Sequence, residues 1–293
     1  MIQKAELDML PRLKRIWQTC FEDDKNYVDF VFGNLLGPAQ MLVETDENGR
    51  PIAMVNWKLL RFTTPRQSFT GAYIFGVCTL PQHRGKGISS GLMEKAHELL
   101  RQDGAQLSCL IPAGKNLFDF YAAKGFETRF HYKSLRVGGE EIPKTSRQGV
   151  LSAAALEDLY AKRADSFSSR SLFGAWDTNY LRYVTKECRF YRGEVLRFSC
   201  GGNQGYAVCH PMRDGTLLVK EAVVDPKDVD ILLAALDARY KAKNYHLRLP
   251  GDFALENKWG AEILPFAMVK WYNKHSANIP IGGAPWFAFG LDS

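Results

Sequence analysis

The stretch Arg84-Gly-Lys-Gly-Ile-Ser89 constrains this chain most, because it joins a strand-like run to the pattern of an amphipathic helix. The run from Thr70 to Leu80 is rich in Tyr, Ile, Phe, Val and Thr and stops at Pro81. Apolar residues then recur with helical spacing from about Ile88 to Gln102. Glycines let backbone N–H groups approach an anion, and a helix N-terminus offers unpaired donors and the positive end of the helix dipole. The loop and its two cations therefore predict a site for a pyrophosphate group.

The sequence around this loop fits neither of two common nucleotide-binding motifs. It contains no G-x-x-x-x-G-K-[ST] of the P-loop and no G-x-G-x-x-G of dinucleotide-binding folds. The residues from Val77 to Ser89 instead resemble motif A of the GCN5-related N-acetyltransferases (GNAT), whose consensus is Q/R-x-x-G-x-G/A. Arg84, Gly87 and Ser89 occupy the consensus positions, and Ser89 is a small residue where the family usually has Gly or Ala.

A second segment extends the resemblance. The residues Asn116-Leu-Phe-Asp-Phe-Tyr-Ala-Ala-Lys-Gly-Phe126 are similar to the family's downstream segment, which carries an Asn, a Tyr and a Gly-Phe pair. Two such segments at the expected separation identify the chain as a member of the GNAT superfamily. The resemblance covers Met1 to about Val137 in the order of elements, and it is specific over about residues 71–126.

The alternation of strands and helices predicts an α/β (α+β) fold with a mixed central sheet flanked by helices, the GNAT fold. We expect a catalytic domain over residues 1–137, a linker over 138–150 and a second α/β domain over 151–293, which suggests a tandem arrangement. Val223-Val-Asp-Pro226 before a helix resembles Val77 to Pro81, but Lys227 to Ala234 contains no glycine and two aspartates. If the halves are related, only the first keeps an anion site. The apolar run from Gly283 to Asp292 predicts a last strand of the second domain.

The family resemblance implies a role for each residue of the site. The backbone of Val77 and Thr79 pairs with the pantetheine arm of acetyl-CoA, and an N–H of Val77 or Cys78 faces the oxyanion. Asn116 positions the cofactor arm, and Tyr121 protonates the leaving thiolate. The pyrophosphate is held by the loop and the first residues of the helix, namely Arg84, Gly85, Lys86, Gly87, Ile88 and Ser89.

The general base is missing from its usual place, because the strand from Gly71 to Pro81 contains no Asp or Glu. The candidates are a water chain or one of four carboxylates, which belong to Glu44, Asp29, Glu22 and the C-terminal residue Ser293. Cys78 has no His and acid at recognisable spacing, so direct transfer is favoured over an acyl-cysteine.

The predicted function is transfer of an acetyl group from acetyl-CoA to a primary amine of a small molecule; the alternative is a non-catalytic sensor of acyl-CoA. The net charge of +6 comes from scattered residues, which argues against nucleic-acid and membrane partners. No Cys/His cluster predicts a metal site, and no signal or spanning segment is present, so we expect a cytoplasmic protein. The six cysteines are interpreted as buried free thiols, and no oligomeric state is predicted.

Overall fold

A computed structural model defines residues 1–255, 259–273 and 283–291 of the chain, which form two compact units. The first unit contains residues 1–60, 69–111 and 269–278, and the second contains 61–68, 112–268 and 279–293. Residues 112–137 thus group with the second unit, whereas the sequence-based boundary lies at Val137 and stays a prediction. Among the described residues, no helix is long and apolar enough to cross a membrane.

The first unit confirms the predicted mixed α/β fold. The helices are α1 (Leu10–Phe21), α2 (Lys25–Asn34) and α3 (Ile88–Gln102), and the strands are β1 (Ile2–Lys4), β2 (Met41–Thr45), β3 (Pro51–Thr63), β4 (Ser68–Thr79) and β5 (Leu107–Leu110). Strands β1, β2 and β3 pair antiparallel in that order, and β4 lies between β3 and β5. The pairing of β4 with β5 is parallel and runs only from Gly71 to Tyr73.

Gly76 lies on β4 beyond the last residue paired with β5. Its φ of +57° is in the left-handed region, and a Cβ there would lie 2.5 Å from Cζ3 of Trp17 and 2.7 Å from Nδ2 of Asn56. Only glycine fits both the backbone conformation and the space. The strand is therefore irregular at Gly76, where it and Val77 are partly exposed.

The helices of the second unit are α4 (Lys115–Ala122), α5 (Leu156–Phe167), α6 (Thr178–Phe190) and α7 (Val229–Tyr240), and its strands include β6 (Glu127–Gly138), β7 (Val150–Ala153), β8 (Phe173–Ala175), β9 (Glu194–Cys200), β10 (Asn203–Pro211), β11 (Thr216–Val223) and β12 (Asn244–Pro250). Six of these strands lie in the order β6-β12-β11-β10-β9-β7. Within this order only the β11–β12 pair is parallel. Strand β13 (Glu262–Trp271) begins in this unit, and its residues from Val269 group with the first.

Each unit contains three strands, a 3-10 turn, a helix and a strand in the same order along the chain. These are β2-β3-β4 with Pro81–His83, α3 and β5 in the first, and β9-β10-β11 with Pro226–Asp228, α7 and β12 in the second. The predicted relationship between the halves accords with this order but stays a prediction.

One predicted element is wrong. The apolar run from Gly283 to Asp292 was expected to form a last strand, yet within the described residues it makes only isolated bridges, at Gly283 and Trp286. Trp286 and Phe287 are each 1% exposed, because their side chains pack into the core of the second unit.

Replacing Gly76 by alanine tests the packing on β4. Because Gly76→Ala combines a left-handed backbone with overpacking against Trp17 and Asn56, we expect chemical denaturation to show a loss of about 2–4 kcal/mol in the free energy of unfolding. The matched control is Gly33→Ala in α2, where a Cβ meets nothing within 4 Å. It should stabilise by about 0.5–1 kcal/mol. Equal stabilities for the two variants would contradict the conclusion that only glycine fits at position 76.

Candidate functional site

The predicted anion-binding loop is open above its glycines. Gly85 and Gly87 have φ values of +76° and +77°, and a Cβ added at either would meet nothing within 4 Å. The left-handed backbone alone therefore favours glycine at these two positions. The loop from Arg84 to Gly87 is exposed along its whole length.

Helix α3 begins directly after this loop with its N-terminal donors uncapped by side chains. Gly87 is the N-cap residue, no side chain among the described residues caps it, and the first turn holds no acidic residue. The unpaired N–H groups and the positive end of the helix dipole favour an anion at this end. Arg84 and Lys86 add positive charge, so the geometry fits a pyrophosphate.

A hydrogen bond to one carbonyl group connects the end of β4 to the loop. Arg84 Nε donates a hydrogen bond to the carbonyl oxygen of Thr79 at 3.0 Å. The neutral thiol of Cys20 at the end of α1 donates to the same oxygen at 3.5 Å. The hydroxyl oxygen of Thr79 is buried and has no hydrogen-bond partner among the described residues.

Cys20 is an unusually acidic thiol in this setting. A hydrogen bond from the Cys78 thiol and the nearby Arg84 guanidinium lower the pKa of Cys20 to about 6, although partial burial acts in the opposite direction. Cys78 itself is 6% exposed, and its burial raises the pKa of its thiol. The Cys78 thiol and Arg84 therefore favour the thiolate form of Cys20, whereas burial keeps the proton on Cys78.

A carboxylate that the sequence reasoning missed, that of Asp23, lies across the Trp17 indole from Gly76. Trp17 packs its six-membered ring against Gly76, and its Nε1 donates to Asp23 Oδ2 at 2.7 Å. Burial of Asp23 raises the pKa of its carboxyl above the usual range. Asn56 is fully buried and donates from Nδ2 to the Gly76 carbonyl at 3.3 Å, while its Oδ1 has no partner among the described residues. No local sequence signal marks Asp23, since its contact depends on how α1 packs on β4.

The carboxylates considered from the sequence have other surroundings. Glu44 accepts from the amino group of Met1 at 2.5 Å, and Asp29 forms an exposed ion pair with Lys14 at 2.7 Å. Glu22 is exposed at the end of α1. Ser293 lies outside the described residues.

Asn116 and Tyr121 belong to the second unit, where both lie on α4. Tyr121 is 8% exposed and packs edge-on against Phe120 and Phe126, with ring centroids 5.1 and 5.8 Å away. Burial raises the pKa of Tyr121 to about 12. The phenol therefore keeps its proton at neutral pH, as a general acid must. Asn116 is exposed in the first turn.

The corresponding helix end in the second unit is occupied by side chains of that unit. The Asp225 carboxylate accepts the N–H of Lys227 at 3.1 Å in the turn before α7. Asp228 follows, completely buried, and accepts from Asn203 at 2.6 Å. Both carboxylates are also ion-paired, Asp225 with Lys227 at 3.3 Å and Asp228 with Arg147 at 2.8 Å, so side chains already occupy this helix end, in contrast to the loop before α3.

Strand β11, which precedes this turn, is also covered by side chains of the second unit. Glu221 on β11 is completely buried and forms a bidentate ion pair with Arg163, with N–O distances of 2.7 and 3.0 Å. Its oxygens also accept from Tyr206 and Trp286. Residues 217–222 are all buried, whereas Gly76 and Val77 on β4 are partly exposed.

Comparisons with known proteins agree with this geometry. Residues 1–129 match the family model of the acetyltransferase (GNAT) domain. This part of the chain is a GNAT domain. The comparison with curated proteins gave no match.

Solved structures resemble the chain beyond residue 129. A conserved protein from Enterococcus faecalis V583 has a TM-score of 0.73 at 15% identity, covering 92% of this chain and 72% of its own. A GCN5-related N-acetyltransferase from Anabaena variabilis ATCC 29413 has a TM-score of 0.72 at 16% identity, covering 93% and 73%. Eis1 from Mycobacterium abscessus has a TM-score of 0.70 at 14% identity, covering 94% and 75%. At these identities the likeness shows the fold alone.

Proposed function

We propose that the protein transfers an acetyl group from acetyl-CoA to a primary amine of a small molecule. The observation that carries the proposal is the open, uncapped N-terminus of α3, which follows a loop with two left-handed glycines and two cations. A pyrophosphate satisfies the free N–H donors there and is attracted by Arg84 and Lys86. The GNAT domain over residues 1–129 supports acetyl-CoA as the donor.

The irregular strand β4 supports the transfer step. Because β4 leaves its pairing with β5 after Tyr73, the backbone of Val77 and Thr79 offers hydrogen bonds to an extended amide-containing arm. A backbone N–H of Val77 or Cys78 then stabilises the negative charge that forms on the thioester oxygen as the amine attacks. By the family resemblance Tyr121 is the acid, and its raised pKa keeps it protonated for this role.

We assign the base to Asp23, because Trp17 connects it to the Gly76 region of β4. The indole holds the carboxylate in one orientation by the 2.7 Å hydrogen bond, while its opposite edge contacts Gly76. The raised pKa of Asp23 strengthens it as a proton acceptor relative to an exposed aspartate, and the carboxylate also attracts a cationic amine.

Charge reversal in the loop tests coenzyme binding. At about 100 times its dissociation constant, acetyl-CoA should stabilise the protein by about 2.7 kcal/mol, seen as a raised melting temperature. Lys86→Glu should weaken binding at least about tenfold, which removes about 1.4 kcal/mol of that effect. The matched control is Lys227→Glu in the turn before α7, which should leave the shift unchanged. No shift in the unmodified protein would contradict both the transferase and the sensor; a shift without thiol release from any amine would favour the sensor.

Removing the Asp23 carboxylate tests the base. Asp23→Asn keeps an oxygen for the Trp17 hydrogen bond, so the melting temperature and its rise with acetyl-CoA should persist. We expect kcat/KM for the amine to fall about 100-fold, and the acid limb of its pH profile that reports Asp23 to disappear. Glu22→Gln changes the neighbouring exposed carboxylate and should match the unmodified protein. Unchanged turnover in Asp23→Asn would remove Asp23 from this role.

A further inference from the structure

Two thiols and a guanidinium cluster where α1 ends against β4. Cys20 lies in the last turn of α1, and Cys78 lies on β4 next to Thr79. The two side chains are neighbours, since the Cys20 sulfur lies 3.5 Å from the carbonyl oxygen of Thr79, the residue after Cys78, and the Cys78 thiol affects the pKa of Cys20. Cys20 and Arg84 both bond to the Thr79 carbonyl, at 3.5 and 3.0 Å. The mechanism proposed above gives Cys20 no part and uses only the backbone of Cys78, so the thiol pair needs another explanation.

Cys20 differs from the other five cysteines, all of which lie within the described residues. It is partly exposed, whereas the others are buried. The buried sulfur of Cys188 lies 3.1 Å from Nε2 of His210, and the buried sulfur of Cys200 lies 3.1 Å from Nη2 of Arg147. An oxidant in solution therefore reaches Cys20 first, and a cationic group beside a thiol favours the reactive thiolate.

We propose that Cys20 and Cys78 are a redox-modification site, in which a hydroperoxide oxidises Cys20 and Cys78 then closes a disulfide. The Cys20 thiolate attacks one peroxide oxygen, the O–O bond breaks, and Cys20 becomes a sulfenic acid as the other oxygen leaves as hydroxide or alkoxide. The Cys78 sulfur then attacks the Cys20 sulfur. The S–O bond breaks, the S–S bond forms, and the departing oxygen takes the Cys78 proton to leave as water. The two electrons lost by the sulfurs reduce the peroxide.

The position of the pair couples this chemistry to the loop, a consequence that rests on the proposed function. A pyrophosphate held by Arg84 places negative charge near Cys20 and offsets the guanidinium that favours the thiolate. Bound acetyl-CoA therefore slows oxidation of Cys20. By linkage, loss of the thiolate charge on oxidation favours acetyl-CoA binding.

Hydrogen peroxide treatment of the full chain, followed by thiol titration and non-reducing peptide mapping, tests the site. We expect loss of two titratable thiols and a peptide pair joined through Cys20 and Cys78, reversed by a dithiol reductant. Cys20→Ser should form no such pair, whereas Cys109→Ala, which changes a buried thiol on β5, should form it as the unmodified protein does. Oxidation of Cys20 to a stable sulfinic acid without the linked pair, or a linked pair in which Cys20 is absent, would overturn the proposal.

Acetyl-CoA, which has no free thiol, separates this proposal from the proposed function. At a concentration that raises the melting temperature, acetyl-CoA should slow the loss of thiols at least about twofold, measured near the pH at which the Cys20 thiol is half ionised. A raised melting temperature with an unchanged oxidation rate would overturn the coupling while the transferase proposal stands. Disulfide formation without any melting shift would overturn the coenzyme site and leave the redox site standing.

Discussion

The left-handed backbone at Gly76, packed between Trp17 and Asn56, is the constraint on which the first unit depends. A side chain there would collide with both neighbours, so α1 and β3 approach β4 closely at this one residue. The same packing directs the Trp17 indole toward Asp23 and places the Cys20 end of α1 against Thr79. From Thr79 the chain turns into the glycine loop, where Arg84 bonds back to the strand. Strand, loop and helix end therefore form one connected arrangement.

The two units use the same order of elements but differ in the side chains at the helix that follows the third strand. In the first, the helix after the third strand begins at an uncapped glycine with cations beside it. In the second, Asp225 and Asp228 already occupy the helix end, and the strand before it carries the buried Glu221–Arg163 pair. A buried ion pair costs desolvation that is offset only when its hydrogen bonds are complete, and Glu221 meets this through Tyr206 and Trp286. The second unit is thus closed by its own polar groups.

The loop and its helix could be predicted from the sequence because their signals are local: glycine, cations and helical periodicity are contiguous from Arg84 onward. Asp23 and the pair of Cys20 with Cys78 could not be predicted, since their relation to β4 depends on how α1 packs against that strand. The strand predicted at Gly283 to Asp292 was wrong for a related reason, because its apolar residues pack as individual aromatic side chains rather than pairing along a ladder. The roles of Asn116, Tyr121 and Ser293 stay predictions that the family resemblance supplies.

We propose that the chain has a single coenzyme site, at the start of α3. Titration calorimetry with acetyl-CoA measures this directly as a stoichiometry. We expect one molecule bound per chain, with an affinity that falls as salt rises, because the pyrophosphate is held partly by Arg84 and Lys86. Binding of two molecules per chain would contradict the conclusion that the second unit has no coenzyme site. Binding of no acetyl-CoA at all would contradict the site at the start of α3.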